Sequence, residues 1–517
     1  MNTRSGTIPA MLLVALCAAG AANASEPTSA STGILFELAG DHDLQALQGS
    51  SGIYPQLQAL LSDPASAQVQ VVKVNAASIS PSTKTLRVPL SQGKAVTFRL
   101  RRADPPAPGM EGWVGDVLKQ PDQKTSPGEV DFDPFTWVSL VRNGDQIVGS
   151  INVDGQAYRL AYVGAGQHVL VKLDASKGPS ESEPELSEVL KQAAAAKTPK
   201  SAHSTIRVLF FTTKERRMKT PNYQANLAAA MQDANQVMIN SRVPVTFEMA
   251  GSVDSDYEEG TKTGVQQFDD FKTPGRALNQ EVVRMRQYLL ADLVSLYTSY
   301  PGTGGQVAGG GYSIIGSWET LAHEFGHHLG AAHGWNGTSP GYHHGYQHEL
   351  PKFHTRMVTT WGSIPYFSSP NLYYQGIRIG TPEHHDVVRT INERREGVEN
   401  TYPAPSTVPL VTLYERSNFS GNSCKLYLQR NKLVAVGDTY CRSVMGSPYS
   451  LKVSNFRSGH KLCVRNADDS RNRCFSGAYQ GDFEVRNLDV QGGLPEGLTR
   501  TAKGYPMNGA VTHIQDE

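Results

Sequence analysis

At 517 residues the chain is too long for one ordinary domain, and two or three domains are expected. Lysine plus arginine number 48 and aspartate plus glutamate 48, so the formal net charge is zero and no global field for nucleic acid or an anionic membrane is indicated. Charged residues make up 19%, which fits a soluble globular protein and excludes a disordered one.

The N-terminus reads as an export signal. Arg4 supplies positive charge, Met11 to Ala19 form a short apolar run, and Ala22-Asn23-Ala24 offers a site for cleavage after Ala24. The lipoprotein alternative at Cys17 is disfavoured, because Leu16 stands where a small residue is needed. No later segment has the roughly 18 uninterrupted apolar residues of a membrane span, so a secreted protein without a membrane anchor is expected. Apart from Cys17, the cysteines are Cys424, Cys441, Cys463 and Cys474. An even number in one terminal segment of an exported chain predicts two disulfides. Three pairings are open, and nearest neighbours, Cys424 with Cys441 and Cys463 with Cys474, are the expected ones.

After the signal (1–24), residues 25–203 read as a β-rich unit and a linker. Val69–Val74, Ala95–Leu100, Trp137–Val141, Gln146–Val153 and Tyr158–Val163 have strand character, with turn signals at Asn143-Gly144-Asp145 and Asp154-Gly155. No metal-ligand cluster or nucleophile with a base occurs there, and its position suggests a pro-domain. From about 176 the composition turns polar, with a short alanine patch and lysines, as in a linker open to processing. Residues 204–405 form an α/β unit. Ile206–Phe211, Val243–Met249 and Asp292–Tyr297 read as strands, and Tyr223–Ile239 and Ala277–Leu290 as helices, the first with Leu227, Ala230, Met231 and Ala234 on one stripe. Residues 406–517 have short strand candidates and no long helical pattern, as in a small all-β domain.

The chemistry is concentrated at His323, where the chain reads His-Glu-Phe-Gly-His-His-Leu-Gly-Ala-Ala-His. This is H-E-x-x-H-x-x-G-x-x-H. His323 and His327 project from one helix face, one turn apart, and can share one Zn²⁺. Gly330 lets the chain leave the helix, and the turn brings round His333 as third ligand. Three protein ligands leave the fourth position to water, which marks a catalytic site. Glu324 can take the proton of that water and deliver it to a leaving amine. The expected reaction is peptide hydrolysis without an acyl-enzyme. His328, His343, His344 and His348 crowd the same region. A second metal site is one reading of them and hydrogen-bonded loop histidines the favoured one, because their spacing fits no ligand template.

The motif resembles that of the metzincin metalloproteases. Met357, in His354-Thr355-Arg356-Met357-Val358, matches their methionine turn. Ile364-Pro365-Tyr366-Phe367-Ser368-Ser369-Pro370 and Gly376-Ile377-Arg378-Ile379-Gly380-Thr381 look like the specificity-loop region of bacterial peptidyl-Asp metalloendopeptidases and their reprolysin-like relatives. Thr359 stands where astacin-like and serralysin-like enzymes place tyrosine, and Gly334 where reprolysins place aspartate. The resemblance implies one catalytic zinc and protein or peptide substrates. It also implies an edge strand, Val307–Ile315, to pair with the substrate, the other reading being a glycine-rich loop. A preference for acidic residues beside the cleaved bond would follow, with Arg378 and Arg356 as candidate cations. A pro-domain cysteine switch is absent, since no cysteine lies between Cys17 and Cys424, so a carboxylate or a steric cover would have to hold a zymogen latent, with Asp131 and Asp133 as candidate carboxylates and surface acids as their default reading. In the last unit Tyr414-Glu415-Arg416-Ser417-Asn418-Phe419-Ser420-Gly421 resembles the β/γ-crystallin signature, with Ser450 at its serine position. Met445 and Gly446 replace the usual ligands there, which leaves calcium binding open. The competing reading of the chain is a secreted adhesin or binding protein with an inactive metzincin domain.

Overall fold

The computed structural model describes residues 32–49, 52–90, 93–117, 127–178, 198–300, 304–359, 362–436, 441, 448–490, 493–504, 506–507 and 511–517. The segment expected to be an export signal, most of the expected linker, and Met445 and Gly446 lie outside the described residues. The chain is multi-domain and strand-rich, with several sheets and few helices.

The first unit is built on ten strands: β1 (Thr32–Ile34), β2 (Phe36–Leu38), β3 (Ser66–Val74), β4 (Thr85–Pro89), β5 (Ala95–Arg102), β6 (Glu111–Asp116), β7 (Trp137–Asn143), β8 (Gln146–Val153), β9 (Gln156–Gly164) and β10 (Gln167–Leu173). They form one sheet in the order β1-β4-β5-β6-β7-β8-β9-β10-β3-β2. From β4 to β10 each strand pairs antiparallel with the next. Two of the tight turns, Asp154-Gly155 and Ala165-Gly166, put both central residues at positive φ, which matches the twist of the hairpin strands. The expected strands are present, most of them extended by one to several residues. Two short helices, α1 (Asp41–Gly49) and α2 (Pro55–Ser62), pack on β3, and the periodicity did not reveal them.

In the second unit β11 (Ser204–Thr212) leads through α3 (Lys214–Lys219) and α4 (Tyr223–Asn240) to β12 (Val245–Asp254), then α5 (Gly264–Lys272) and α6 (Ala277–Leu289) to β13 (Leu293–Tyr297). The strand expected over Val307–Ile315 is instead a hairpin, β14 (Gly305–Ala308) and β15 (Tyr312–Ile315). Gly310 and Gly311 at its tip, at φ 77° and 81°, reverse the chain. The sheet order is β12-β11-β13-β15-β14, parallel except for β14, which is the edge. Next come α7 (Leu321–His328), β16 (Ala332–Gly334), β17 (His344–Gly345), β18 (Gln347–Glu349), β19 (Lys352–His354), β20 (Ser369–Tyr374), β21 (Ile377–Ile379) and α8 (Val387–Glu399).

Helix α4 buries more than its apolar stripe: Gln232, Asp233, Gln236 and Asn240 are buried too. Its apolar residues share a core with Val208, Phe210 and Phe325, and that core also takes in Val141 and Val148 from β7 and β8 of the first unit. Beyond the second unit, a four-stranded and a five-stranded sheet, running from Leu410 to Asp516, enclose a core of their own, into which Tyr288 of α6 is also built. Cys424 is bonded to Cys441 and Cys463 to Cys474, the expected pairs. Among the described residues no helix is long and apolar enough to cross a membrane.

Candidate metal centre

Helix α7 carries His323 and His327 one turn apart, both buried, and ends in a defined stop. The Gly330 N–H donates to the His327 carbonyl (2.9 Å) and the Ala331 N–H to the Gly326 carbonyl (2.9 Å). That pair of bonds is a Schellman motif with Gly330 in the left-handed position, at φ 90°. A Cβ at Gly330 would also overlap the guanidinium of Arg394, which α8 lays against the turn. The chain then returns as β16 and delivers His333.

The three side chains meet at their Nε2 atoms. Nε2 of His323 lies 2.9 Å from that of His327 and 3.0 Å from that of His333, and the remaining pair is 3.1 Å apart. Tetrahedral ligands roughly 2.0–2.1 Å from one zinc ion would stand about 3.3 Å apart. Nδ1 of His323 lies 2.8 Å from the Arg356 carbonyl and Nδ1 of His327 2.8 Å from the Ala331 carbonyl. A carbonyl only accepts, so those Nδ1 atoms carry the protons and the Nε2 lone pairs point at one another. Converging lone pairs in a buried site repel, and a cation between them removes the conflict, so the donor set fits a metal ion. Burial, then the neighbouring His323 and His333, holds the His327 imidazole well below its ordinary pKa and keeps it neutral.

Met357 is fully buried beneath α7. A Cβ at Gly326 would overlap its sulfur, so the second x of H-E-x-x-H is glycine for close contact. The turn is fixed by the Arg356 N–H donating to the Tyr366 carbonyl (2.9 Å), while the Arg356 carbonyl faces His323. Glu324 is 1% exposed, and its carboxylate lies over the backbone of β14, where a Cβ at Gly305 would overlap Oε1. Gly305, Gly326, Tyr366 and Arg394 escaped the motif reading, because each acts across a long sequence separation.

The other histidines go elsewhere. His328 is pushed down to about 3 by burial and then by Arg286. His343 is pushed down to about 4 by burial, then by His344 and Arg394. His344 Nδ1 faces the His333 carbonyl (3.2 Å), and His348 Nδ1 faces the Pro351 carbonyl (3.0 Å). Among the described residues, only His323, His327 and His333 bring three metal-donor atoms within 4.8 Å of one another. Arg356 is buried and its charge acts on Asp233 of α4, which removes it as a surface cation for substrate. Arg378 is exposed on the β20–β21 hairpin and its Nε donates to the Tyr373 hydroxyl (3.0 Å). Asp131 is paired with Arg101, and Asp133 accepts from the Phe135 and Thr136 N–H groups, so both carboxylates have partners within the first unit.

Two buried histidines and a half-buried third beside a buried glutamate form a donor set that fits a single metal ion, and the comparisons point to metallopeptidases. The chain is 28% identical over 408 residues to a peptidyl-Asp metalloendopeptidase of Xanthomonas campestris pv. campestris, covering 73% of this chain and 95% of that protein. It is 28% identical over 379 residues to the protein of that name in Stenotrophomonas maltophilia strain R551-3, covering 66% and 89%. The chain therefore resembles the peptidyl-Asp metalloendopeptidases. No family model matches it. Two solved structures, of a chaperone–substrate complex and of metalloproteinase-II from Bacteroides fragilis, each cover 62% of this chain and 42% and 93% of their own. Their sequence identities are 17% and 12% and their TM-scores 0.34 and 0.32, too low to define a common fold.

Proposed function

We propose that the chain is a secreted zinc-dependent endopeptidase of the metzincin type, made as a precursor. The observation that carries this reading is the convergence of the Nε2 atoms of His323, His327 and His333, two of them oriented by carbonyl oxygens at Nδ1. Zinc bound there supplies a Lewis acid that makes water nucleophilic near neutral pH and polarises a carbonyl. Glu324 takes the proton of the attacking water and returns it to the leaving amine. Strand β14, at the sheet edge, offers its outer backbone to an extended peptide.

In this reading residues 1–24 are the signal, 25–203 the pro-domain and linker, 204–405 the metzincin catalytic domain and 406–517 a β/γ-crystallin-like domain. The tie between Ser450 and its neighbours supports the last assignment. Its hydroxyl donates to the Arg416 carbonyl (2.6 Å) and accepts from the Phe419 N–H (3.1 Å). The names of the relatives add a preference for aspartate beside the cleaved bond, and a peptide-library profile without acidic enrichment would remove that part.

The central test compares casein hydrolysis by the wild type, with and without a chelator, and by Glu324→Gln, with zinc content measured in parallel. The variant is expected to keep its zinc and to lose activity by roughly 10²–10⁴-fold. An equally active variant would remove Glu324 from the chemistry. A wild type that stays inert after the chain is cut between the first and second units would favour the binding-protein reading.

A further inference from the structure

We propose that residues 32–178 are a permanent part of the working molecule: after the chain is cut before residue 198, they stay bound as a non-covalent subunit and support the metal site from behind. The contact is a shared core and not a laid-on cover. Val114, Val130, Phe132 and Trp137 of the first unit form one buried cluster with Phe353, Ile364, Tyr366, Leu372 and Ile379 of the second. Without the first unit, the apolar side chains from the second would face water, and large contiguous apolar patches are seldom left bare on soluble proteins.

Backbone and buried polar groups are matched across the same contact. The Val130 N–H donates to the Tyr373 carbonyl (2.8 Å) and the Tyr373 N–H to the Gly128 carbonyl (2.9 Å), so residues 128–130 extend β20 sideways. The side chain of Gln232 on α4 donates to Ser139 Oγ and to the Leu140 carbonyl, both at 2.9 Å, and Ser150 Oγ donates to Asp233 (3.1 Å). Arg159 pairs with Glu319, just before α7. Separation would exchange these matched contacts for bonds to water, so each adds a modest net gain to the contact and fixes its register. A cavity of about 1000 Å³ does open between the units, lined by Leu60, Arg159, Arg216 and Tyr297, so the close contact is concentrated on α4 and on β20.

A short relay joins this contact to the triad. The Tyr366 hydroxyl donates to the Phe132 carbonyl (2.7 Å), the Tyr366 carbonyl accepts from the Arg356 N–H (2.9 Å), and the Arg356 carbonyl faces His323 Nδ1 (2.8 Å). The first unit thus holds the residue that holds the turn that orients a histidine of the triad. Groups behind metal ligands tune how firmly the metal is kept.

The test uses the full chain with a specific protease site placed within residues 180–196 and cut after folding. Both fragments are expected to co-elute from a size-exclusion column at the mass of the uncut chain, and their separation overturns the proposal. Phe132→Ala should lower the urea concentration at which the cut fragments part, and an unchanged midpoint would show that this cluster does not hold them. Tyr366→Phe removes only the hydroxyl that reaches Phe132. It is expected to lose zinc to a chelator several-fold faster, and an unchanged rate overturns the supporting role. The zinc arm rests on the proposed function, whereas co-elution does not, so a failure of either remains distinguishable.

Discussion

Glu324 occupies a niche that only a missing side chain makes available. A methyl group at Gly305 would overlap its carboxylate, and a displacement of about 1 Å in a catalytic group can cost roughly 10²-fold in rate. Gly305→Ala is therefore expected to lower kcat on that scale while zinc content and fold, read by metal analysis and circular dichroism, stay as in the wild type. An unaltered kcat would mean that the carboxylate has room elsewhere. Asp233 supplies a second test at one residue. It is buried among Ser139, Ser150, Arg356, Glu319 and Arg102, and desolvation raises its pKa to about 6, only partly opposed by its hydrogen bonds and by Arg356. A carboxyl raised in the folded state contributes its full stability below the ordinary carboxylate pKa and loses it as pH rises through about 6. Asp233→Asn should flatten that dependence, so that the stability difference from wild type shifts in the variant's favour by a few kcal/mol between pH 4 and pH 7. Denaturant midpoints at the two pH values measure it, and parallel curves would contradict the burial.

At the level of elements, α7 is terminated by its sequence as well as by its surroundings. Gly330 is needed twice, for its positive φ and for the space that Arg394 fills. Gly330→Ala is expected to cost about 1–3 kcal/mol and to lower the unfolding temperature of residues 32–405 by a few degrees, with a weaker hold on zinc because His333 follows the turn. An unshifted melting curve would mean that the turn relaxes without penalty. The helix–turn–histidine arrangement was legible in the spacing alone because it is local: every part of it lies within eleven residues. Helix α8 was not, since it buries only Val387, Thr390, Ile391 and Arg395 and has no strong apolar stripe. The hairpin at β14 and β15 is not legible in the sequence, because its reversal depends on Gly310 and Gly311, which fit an edge strand or a loop equally well. On α4 the stripe of Leu227, Ala230, Met231 and Ala234 predicted a helix packed on one side. Its polar flank is buried by the first unit, a fact no periodicity within the helix encodes.

Across the whole molecule the cores set the cooperative units. The first two units share buried clusters, whereas the C-terminal sheets enclose another, which takes in Tyr288 of α6 and the Cys424–Cys441 disulfide. Calorimetry of the full chain is expected to show one transition for residues 32–405 and a second for the C-terminal unit. A chelator should lower the first, because a ligand bound only to the folded state stabilises it, and a reductant should lower the second. Separate melting of the first and second units would contradict the shared core. The sequence by itself determined the histidine spacing, the glycine exit from the helix and most strands of the first sheet, because each depends on residues close in the chain, whereas it left three cysteine pairings open and the structure forms the nearest-neighbour ones. Only the tertiary structure decided that Arg356 is buried, that Gly305 makes room for Glu324, and that Phe132 reaches the histidine cluster through Tyr366. These contacts join positions tens to hundreds of residues apart, and packing, which no local pattern records, brings them together.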